Sequence, residues 1–268
     1  MTYNILFNSS NEKTLSVLRE TAADIIGMQE ASPARIMELA QNLHYYYHSF
    51  SKTTGNNSDQ DTGILSRFPI TRSFLNGVVV KVNPKFSVAI FTVHLSPYPY
   101  EPYDFRDGII TTAVQAVASG SATRLPEIEP VLQEIKALQN EGIPVFLTGD
   151  FNEPSILDWT TLAAQNNLHF GKVVEWPVSK SVIQSGFTDA YRSRFPNSSD
   201  YPGTTWTTIE SANEVYDRID MIYQTLETAF TLTDVRLTGG KGDVAGIIVE
   251  GYPSDHYSVI ATYHLQPQ

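Results

Sequence analysis

Several polar residues stand where apolar runs end. Asn4 lies in TYNILF, Glu30 follows DIIGMQ, and His94 closes IFTVH. Asp150 and Asn152 close VFLTGDFN, Asp220 lies in RIDMIY, and Asp255-His256 precede YSVIATY. An apolar strand held in a core delivers the side chain at its end rigidly, so residues placed this way can converge on one cleft. Glu30, Asp150, Asp220 and Asp255 offer hard oxygen ligands, which suit Mg²⁺, Mn²⁺ or Ca²⁺ better than a soft metal. Histidine can stabilise charge on a phosphoryl oxygen or relay a proton, and asparagine can orient an oxygen without adding charge. The chain has no serine–histidine elbow, no HExxH and no glycine-rich phosphate loop. Plain structural roles compete with these. Asn4 could satisfy a strand backbone, Glu30 could be solvated, Asp150–Asn152 could be a turn, and Asp255-His256 could cap a segment. Asp220 could pair with Arg218. His44 and His48, in LHYYYH, read as surface or packing residues, and His169 and His264 fall in no motif.

The positioning elements follow from pattern. Tyr3–Phe7 and Asp24–Met28 read as strands. Asn11 is expected to cap a helix running through Leu15, Leu18 and Ala22. Ser32-Pro33 opens a second helix over Ala34–Asn42, with cap and N1 proline in the usual order. Residues Thr53–Gln60 are polar, with a Gly-Asn-Asn turn. Thr62–Leu65, Ile70–Leu75, Gly77–Val82 and Val88–His94 read as strands. Ser96–Phe105 holds three prolines and three tyrosines in ten residues and is expected to be an ordered surface loop. Helices follow at Asp107–Ala118 and Glu127–Asn140, then a strand at Pro144–Leu147 and a mixed stretch over Asn152–Gly203. Strands return at Thr204–Thr207, Ile219–Tyr223, Phe230–Arg236 and Val259–Leu265. Strands spread along the chain, with helices between some and turns between others, predict packed sheets with helices outside in one domain, residues 1–268.

With 268 residues, 41% hydrophobic and 18% charged, the chain can bury a sizeable core. No apolar run reaches the roughly 18–20 residues that span a bilayer, and no signal peptide is evident. A soluble protein is expected, cytoplasmic or secreted after loss of a leader. The absence of cysteine excludes disulfides, thiolate metal sites and a cysteine nucleophile. The formal net charge of −11 disfavours non-specific binding to a long polyanion, although a bound cation can invert the field at one site.

TYN at Asn4, IIGMQE at Glu30, GILSRFPI at Gly63–Ile70, TVHL at His94, TGDFN at Asp150–Asn152, RIDMI at Asp220 and SDH at Asp255-His256 occur in order. Together they resemble the endonuclease/exonuclease/phosphatase (DNase I-like) superfamily from about residue 2 to residue 265. The resemblance implies a four-layer α/β sandwich, two central, mainly antiparallel β-sheets flanked by helices. It also implies a divalent-metal-dependent phosphoester hydrolase. By matching motif, Glu30 would be the principal metal ligand, with Asn4 beside it and Asp255 completing the metal region. Asp150 would orient or deprotonate the attacking water, and Asn152 would hold a phosphate oxygen. His94 and His256 would stabilise charge on the phosphoryl group, with Asp220 orienting His256.

Substrate choice falls to the loop SPYPYEPYDF after His94 and to PGTTWTT. Tyr98, Tyr100 and Tyr103 could stack on a base, sugar or choline-like group, or only on one another, and Trp206 could line the cleft or the core. Tyr100, Tyr103 and Trp206 are the candidate substrate contacts. No basic stripe interleaved with aromatics is present, which favours a small or lipid-derived phosphate ester over nucleic acid. A DNase I-like nuclease is the alternative, and a non-catalytic binding module a more distant one, because every key polar position is filled.

Overall fold

A computed structural model describes residues 1–50, 61–225, 229–241 and 246–266. The elements in chain order are β1 (Thr2–Asn4), α1 (Asn11–Thr21), β2 (Ile25–Gln29), α2 (Pro33–Leu43), β3 (Tyr46–Phe50), β4 (Thr62–Ser66), β5 (Ile70–Ser73), β6 (Gly77–Asn83) and β7 (Phe86–His94). Then come α3 (Glu101–Arg106), α4 (Ala113–Thr123), α5 (Leu125–Asn140), β8 (Val145–Asp150), α6 (Thr161–Gln165), α7 (Pro177–Gln184), β9 (Phe187–Asp189) and α8 (Ala190–Arg194). The chain closes with β10 (Asp220–Thr225), β11 (Phe230–Gly239), β12 (Ile247–Ile248) and β13 (Ser258–Leu265).

The strands form two mixed sheets, ordered β12-β11-β13-β1-β2-β4-β3 and β5-β6-β7-β8-β10-β9. The pairs β1–β2, β7–β8 and β11–β12 are parallel and the other pairs antiparallel. Helices α1 and α2 cover the first sheet through Leu15, Leu18, Ile36 and Leu39, which pack on Tyr3, Ile26 and Met28. Helices α5 and α7 cover the second through Ile128, Val131, Ile135 and Val182, which pack on Phe91, Leu147 and Tyr223. The fold is the expected α/β sandwich.

What positions the site is the period-2 alternation of the central strands. Phe91 and Leu147 face the helices while Ile90 and Phe146 face the other sheet. Two residues further on, the inward series turns polar, with Thr92 and then His94 on β7, and Thr148 and then Asp150 on β8. The sheets meet there through a side-chain hydrogen bond, Gln29 Nε2 of the first sheet donating to Thr92 Oγ1 of the second at 2.8 Å, while Thr2 Oγ1 on the neighbouring β1 accepts from the same amide at 3.2 Å. Gly27 permits this approach, since a Cβ there would sit 2.8 Å from Thr92 Oγ1 and closer still to Thr148 Oγ1. The interlayer is thus apolar at one pole and polar at the other.

Some boundaries differ from expectation. β1 stops at Asn4 because Leu6 turns into the left-handed region (φ 59°), leaving Phe7 exposed. Ser10, not Asn11, caps α1, its hydroxyl accepting from the Lys13 N–H. The helix expected from Asp107 begins at Ala113, where Thr112 and Gln115 form a capping box. The second half of the Tyr/Pro loop is α3, with Tyr100, Glu101 and Phe105 buried. Thr204–Thr207 contributes only bridge pairs from Trp206 to Asp217 and His256. The polar turn expected over residues 53–60 lies outside the described residues.

Candidate active site

The polar pole holds a cleft of about 240 Å³ lined by Glu30, His94, Asp150, Asn152, Asp255 and His256 on its floor, with Phe7, Pro97, Tyr98, Tyr100, Tyr103 and Trp206 as walls. Strand register assembles the floor. His94 of β7 is level with Asp150 of β8, and Asp150 with Asp220 of β10. On the facing sheet Asn4 is level with Gln29, one residue before Glu30.

Asn4 bridges the sheets. Its Nδ2 donates to Glu30 Oε1 at 3.1 Å and to Asp150 Oδ2 at 3.0 Å, and its Oδ1 accepts from the Leu6 N–H. Glu30 Oε2 accepts from the Phe7 N–H at 2.8 Å, so the turn after β1 fixes this carboxylate. Arg35 anchors that turn, donating to the carbonyls of Leu6, Phe7 and Ser9. Burial raises the Glu30 pKa against these two hydrogen bonds.

Asp150 is 1% exposed and accepts from the Asn152 N–H at 2.9 Å. His94 Nε2 is 3.5 Å and His256 Nε2 3.7 Å from its Oδ2. Burial, reinforced by the charge of Asp220, pushes the Asp150 carboxyl up to about 7, against the pull of His256, Asn4 and the Asn152 N–H. Asn152, in a left-handed conformation (φ 47°), donates through Nδ2 to the Leu95 carbonyl at 2.9 Å.

His256 Nδ1 lies 2.9 Å from Asp220 Oδ2. Burial lowers the pKa of this imidazole, but Asp220 and Asp150 outweigh it and push the value up to about 10. The ring is therefore a buried cation at neutral pH. Thr205 Oγ1 accepts the Asp220 N–H, and Ser254 Oγ accepts the His256 N–H while donating to the Asn4 carbonyl at 2.6 Å. Arg218 does not pair with Asp220. Its guanidinium is taken by Asp158 and Asp189.

The residues suit a divalent cation. Four carboxylates crowd the pole and no Lys or Arg lines the cleft among the described residues. Asp255 Oδ1 and Asp220 Oδ1 are buried without a hydrogen-bond partner. Ligand atoms of Asp150, Asp220 and His256 lie within 4.8 Å of one another, a spacing that could hold an ion. In this protonation state, however, His256 is engaged by Asp220 and has no lone pair to give. Glu30, Asp255 and Asn4 provide the other oxygen donors at the pole.

All eleven candidate residues gather here, and the Tyr100 and Tyr103 rings meet edge to face at 4.9 Å, one of the two expected arrangements. Tyr100 is buried, its hydroxyl donating to Asp217 Oδ2 at 3.0 Å. Tyr103 donates to Glu214 Oε1 at 2.6 Å and accepts from Trp206 Nε1 at 2.9 Å. Both phenols are committed within the protein, and the freely exposed rings at the rim are Phe7 and Tyr98, at 54% and 70%. Phe7, Thr205, Glu214, Asp217 and Ser254 were not legible as site residues. Asp217, three residues before Asp220, and the PGTTWTT threonines carried the only sequence hint. His44 caps α2 and His48 packs on Phe50, while His169 stacks on Trp159 and His264 is exposed on β13.

At the far pole a larger hollow of about 430 Å³ lies between the sheets among Ile90, Phe146, Phe230 and Tyr263, and contains none of the candidate residues. No helix among the described residues is long and apolar enough to cross a membrane.

Solved structures share the fold. The chain is similar to an AP endonuclease from Archaeoglobus fulgidus (TM-score 0.63, 17% identity, 98% of each chain covered). It is also similar to D. rerio TDP2 complexed with single strand DNA product (TM-score 0.59, 17% identity, 98% of this chain and 97% of that one). In sequence it is 28% identical to Uncharacterized protein F14F9.5 of Caenorhabditis elegans, over 98% of this chain and 90% of that protein. The sequence model of the Endonuclease/Exonuclease/phosphatase family matches residues 1–256, so the chain belongs to that family, whose members are metal-dependent hydrolases of phosphoester bonds.

Proposed function

We propose that this chain is a phosphodiesterase or phosphatase for small or lipid-derived phosphate esters, with water attacking phosphorus in line. The observation that carries the reading is the cleft itself, with carboxylates, histidines and an asparagine on the floor, aromatic rings on the walls and, among the described residues, no Lys or Arg lining it. Asn4, Glu30 and Asp255 would hold Mg²⁺ or Mn²⁺, or Ca²⁺, and this cation would neutralise the phosphate and favour ionisation of water. Asp150, with its carboxyl near 7 in the metal-free protein, takes the proton of the attacking water and holds it in line. His256, kept protonated by Asp220, and His94 donate to phosphoryl oxygens as negative charge gathers there. Asn152 Nδ2 has a second hydrogen available for a non-bridging oxygen.

A second reading, a nuclease, is favoured by the likeness to TDP2 with single strand DNA product and to an AP endonuclease. Against it stands the charge pattern, since a duplex is normally held by several Lys or Arg contacts along a track. The test is metal-dependent hydrolysis of a bis-aryl phosphate, an aryl phosphocholine and a supercoiled plasmid in parallel. Turnover of a small ester that changes little between low and physiological salt supports the proposal. Efficient nicking of plasmid at physiological salt with both esters ignored replaces it by the nuclease reading.

A further inference from the structure

The Trp206 ring sits 4.7 Å from the His256 imidazole, centroid to centroid, and so forms the wall of the cleft beside that ring. The indole N–H can donate but not accept, and it points to Tyr103 Oη at 2.9 Å. For that oxygen to serve as acceptor, its own hydrogen must lie elsewhere, and Glu214 Oε1 takes it at 2.6 Å. The carboxylate is itself fixed, since the Val215 N–H donates to the same oxygen at 2.9 Å. Arg106 lies over the Tyr103 ring at 4.4 Å and donates to the Asn213 carbonyl at 3.0 Å, tying α3 to the turn that carries Glu214. The chain of donors therefore runs one way, from Trp206 to Tyr103 to Glu214.

We infer that Glu214 is a positioning residue of the catalytic cleft: by accepting the Tyr103 hydroxyl hydrogen it orients that oxygen as the acceptor for Trp206 and so holds the indole against His256. A purely local role, Glu214 closing its own turn through Val215, would leave Trp206 indifferent to its replacement. The inference rests on the phosphoesterase reading only for its kinetic consequence. The positioning itself is visible in the ground state.

Trp159 and Trp176 are fully buried, whereas Trp206 is half-buried, so acrylamide quenching of tryptophan emission reports mainly on Trp206. Parent, Glu214→Gln, Glu214→Ala and Tyr103→Phe proteins, with Trp206→Phe giving the background, are compared by quenching and by steady-state kinetics at saturating Mg²⁺. Glu214→Ala and Tyr103→Phe are expected to raise quenching of the Trp206 component about twofold. They are also expected to lower kcat about fivefold with KM little changed, the scale of one hydrogen bond. Glu214→Gln, whose amide oxygen still accepts, is expected to restore most of both. Parent-like quenching in Glu214→Ala overturns the inference, and so does a Glu214→Gln protein as impaired as Glu214→Ala. If Glu214→Ala fails to fold by circular dichroism, Tyr103→Phe decides by the same criterion of raised against parent-like quenching. If the parent hydrolyses no ester, the phosphoesterase reading fails while the quenching series still decides the positioning claim.

Discussion

Replacing Asp220 by asparagine removes one charge and almost no volume from the centre of the site. The introduced amide oxygen can still accept the His256 Nδ1–H, so geometry is largely kept and the electrostatics change. Asp220 is the largest influence raising the pKa of His256, and its charge is second only to burial in raising that of Asp150. Both values must fall together. The hydrogen bond is kept and only its charge-assisted part is lost, about 1.4 kcal/mol or roughly 1 pKa unit. His256 then moves from about 10 to roughly 9, and at pH 9 its protonated fraction drops from about nine-tenths to about one half. In the proposed mechanism Asp150 acts deprotonated, so activity is expected to rise with pH through its pKa. His256 acts protonated in that mechanism, so activity is expected to fall with pH through its own. The whole bell of kcat/KM against pH is expected to shift toward acid in Asp220→Asn. The assay is a bis-aryl phosphate profile from pH 5 to 10.5 at fixed saturating Mg²⁺ for both proteins. An alkaline limb that stays within about 0.3 unit of the parent's would refute the assignment of His256 as the proton-bearing group held by Asp220.

Chelation is expected to abolish activity and Mg²⁺ or Mn²⁺ to restore it, with Glu30→Gln needing higher metal for the same rate. Full activity in a metal-stripped sample would sink the central claim. Asp150→Asn is expected to lower kcat by on the order of 10²–10⁴ with little effect on KM, and a loss under about tenfold would return Asp150–Asn152 to a turn. Asp150 and His256 both keep protons in the folded state at pH values where the unfolded chain has released them. Stability of the metal-free protein is therefore expected to fall as pH rises, first through about 7 and then toward about 10. Thermal melts from pH 5 to 10 check this, and Asp150→Asn should lessen the first decline. Gly27→Ala is expected to cost about 1–3 kcal/mol in urea unfolding, since its Cβ would press on the buried hydroxyls of Thr92 and Thr148. An unchanged midpoint would show that the sheets separate there at no cost.

The polar floor of the cleft was legible because apolar strands impose a strong local rule, and polar residues at the ends of IFTVH and VFLTGD break it. The helix at Ser32-Pro33 was legible for a similar reason, since cap and N1 proline are local signals. β3 was missed because YYHSF is an outer strand, with Tyr46 and Tyr47 exposed, so it shows no alternation against a core. Strand β9 and helix α8 are short pieces whose order comes from buried ion pairs rather than periodicity, with Asp189 taken by Arg218. Arg192 and Arg218, for example, share Asp158. The aromatic walls were legible as composition but not as function. Which phenol is free depends on partners over 100 residues away, Asp217 for Tyr100 and Glu214 for Tyr103. Spacing in the loop carries no trace of those pairings.

Placing four carboxylates and two imidazoles at one buried pole opposes folding, because charges taken from water must be paired. The chain meets this cost in two ways. Protonation of His256 sets one cation between Asp150 and Asp220, and the Asn4 amide supplies donors to Glu30 and Asp150 without adding charge. Asp255 Oδ1 and Asp220 Oδ1 are left without partners, so the balance is incomplete in the protein alone. An arginine in the cleft would complete it permanently and would also compete for the substrate phosphate. Among the described residues the cleft has none, so the remaining negative charge is available to a divalent cation that can be exchanged. Away from the polar end the two sheets are joined by the apolar interlayer among Ile64, Val80, Ile90 and Phe146, whose burial opposes that electrostatic cost.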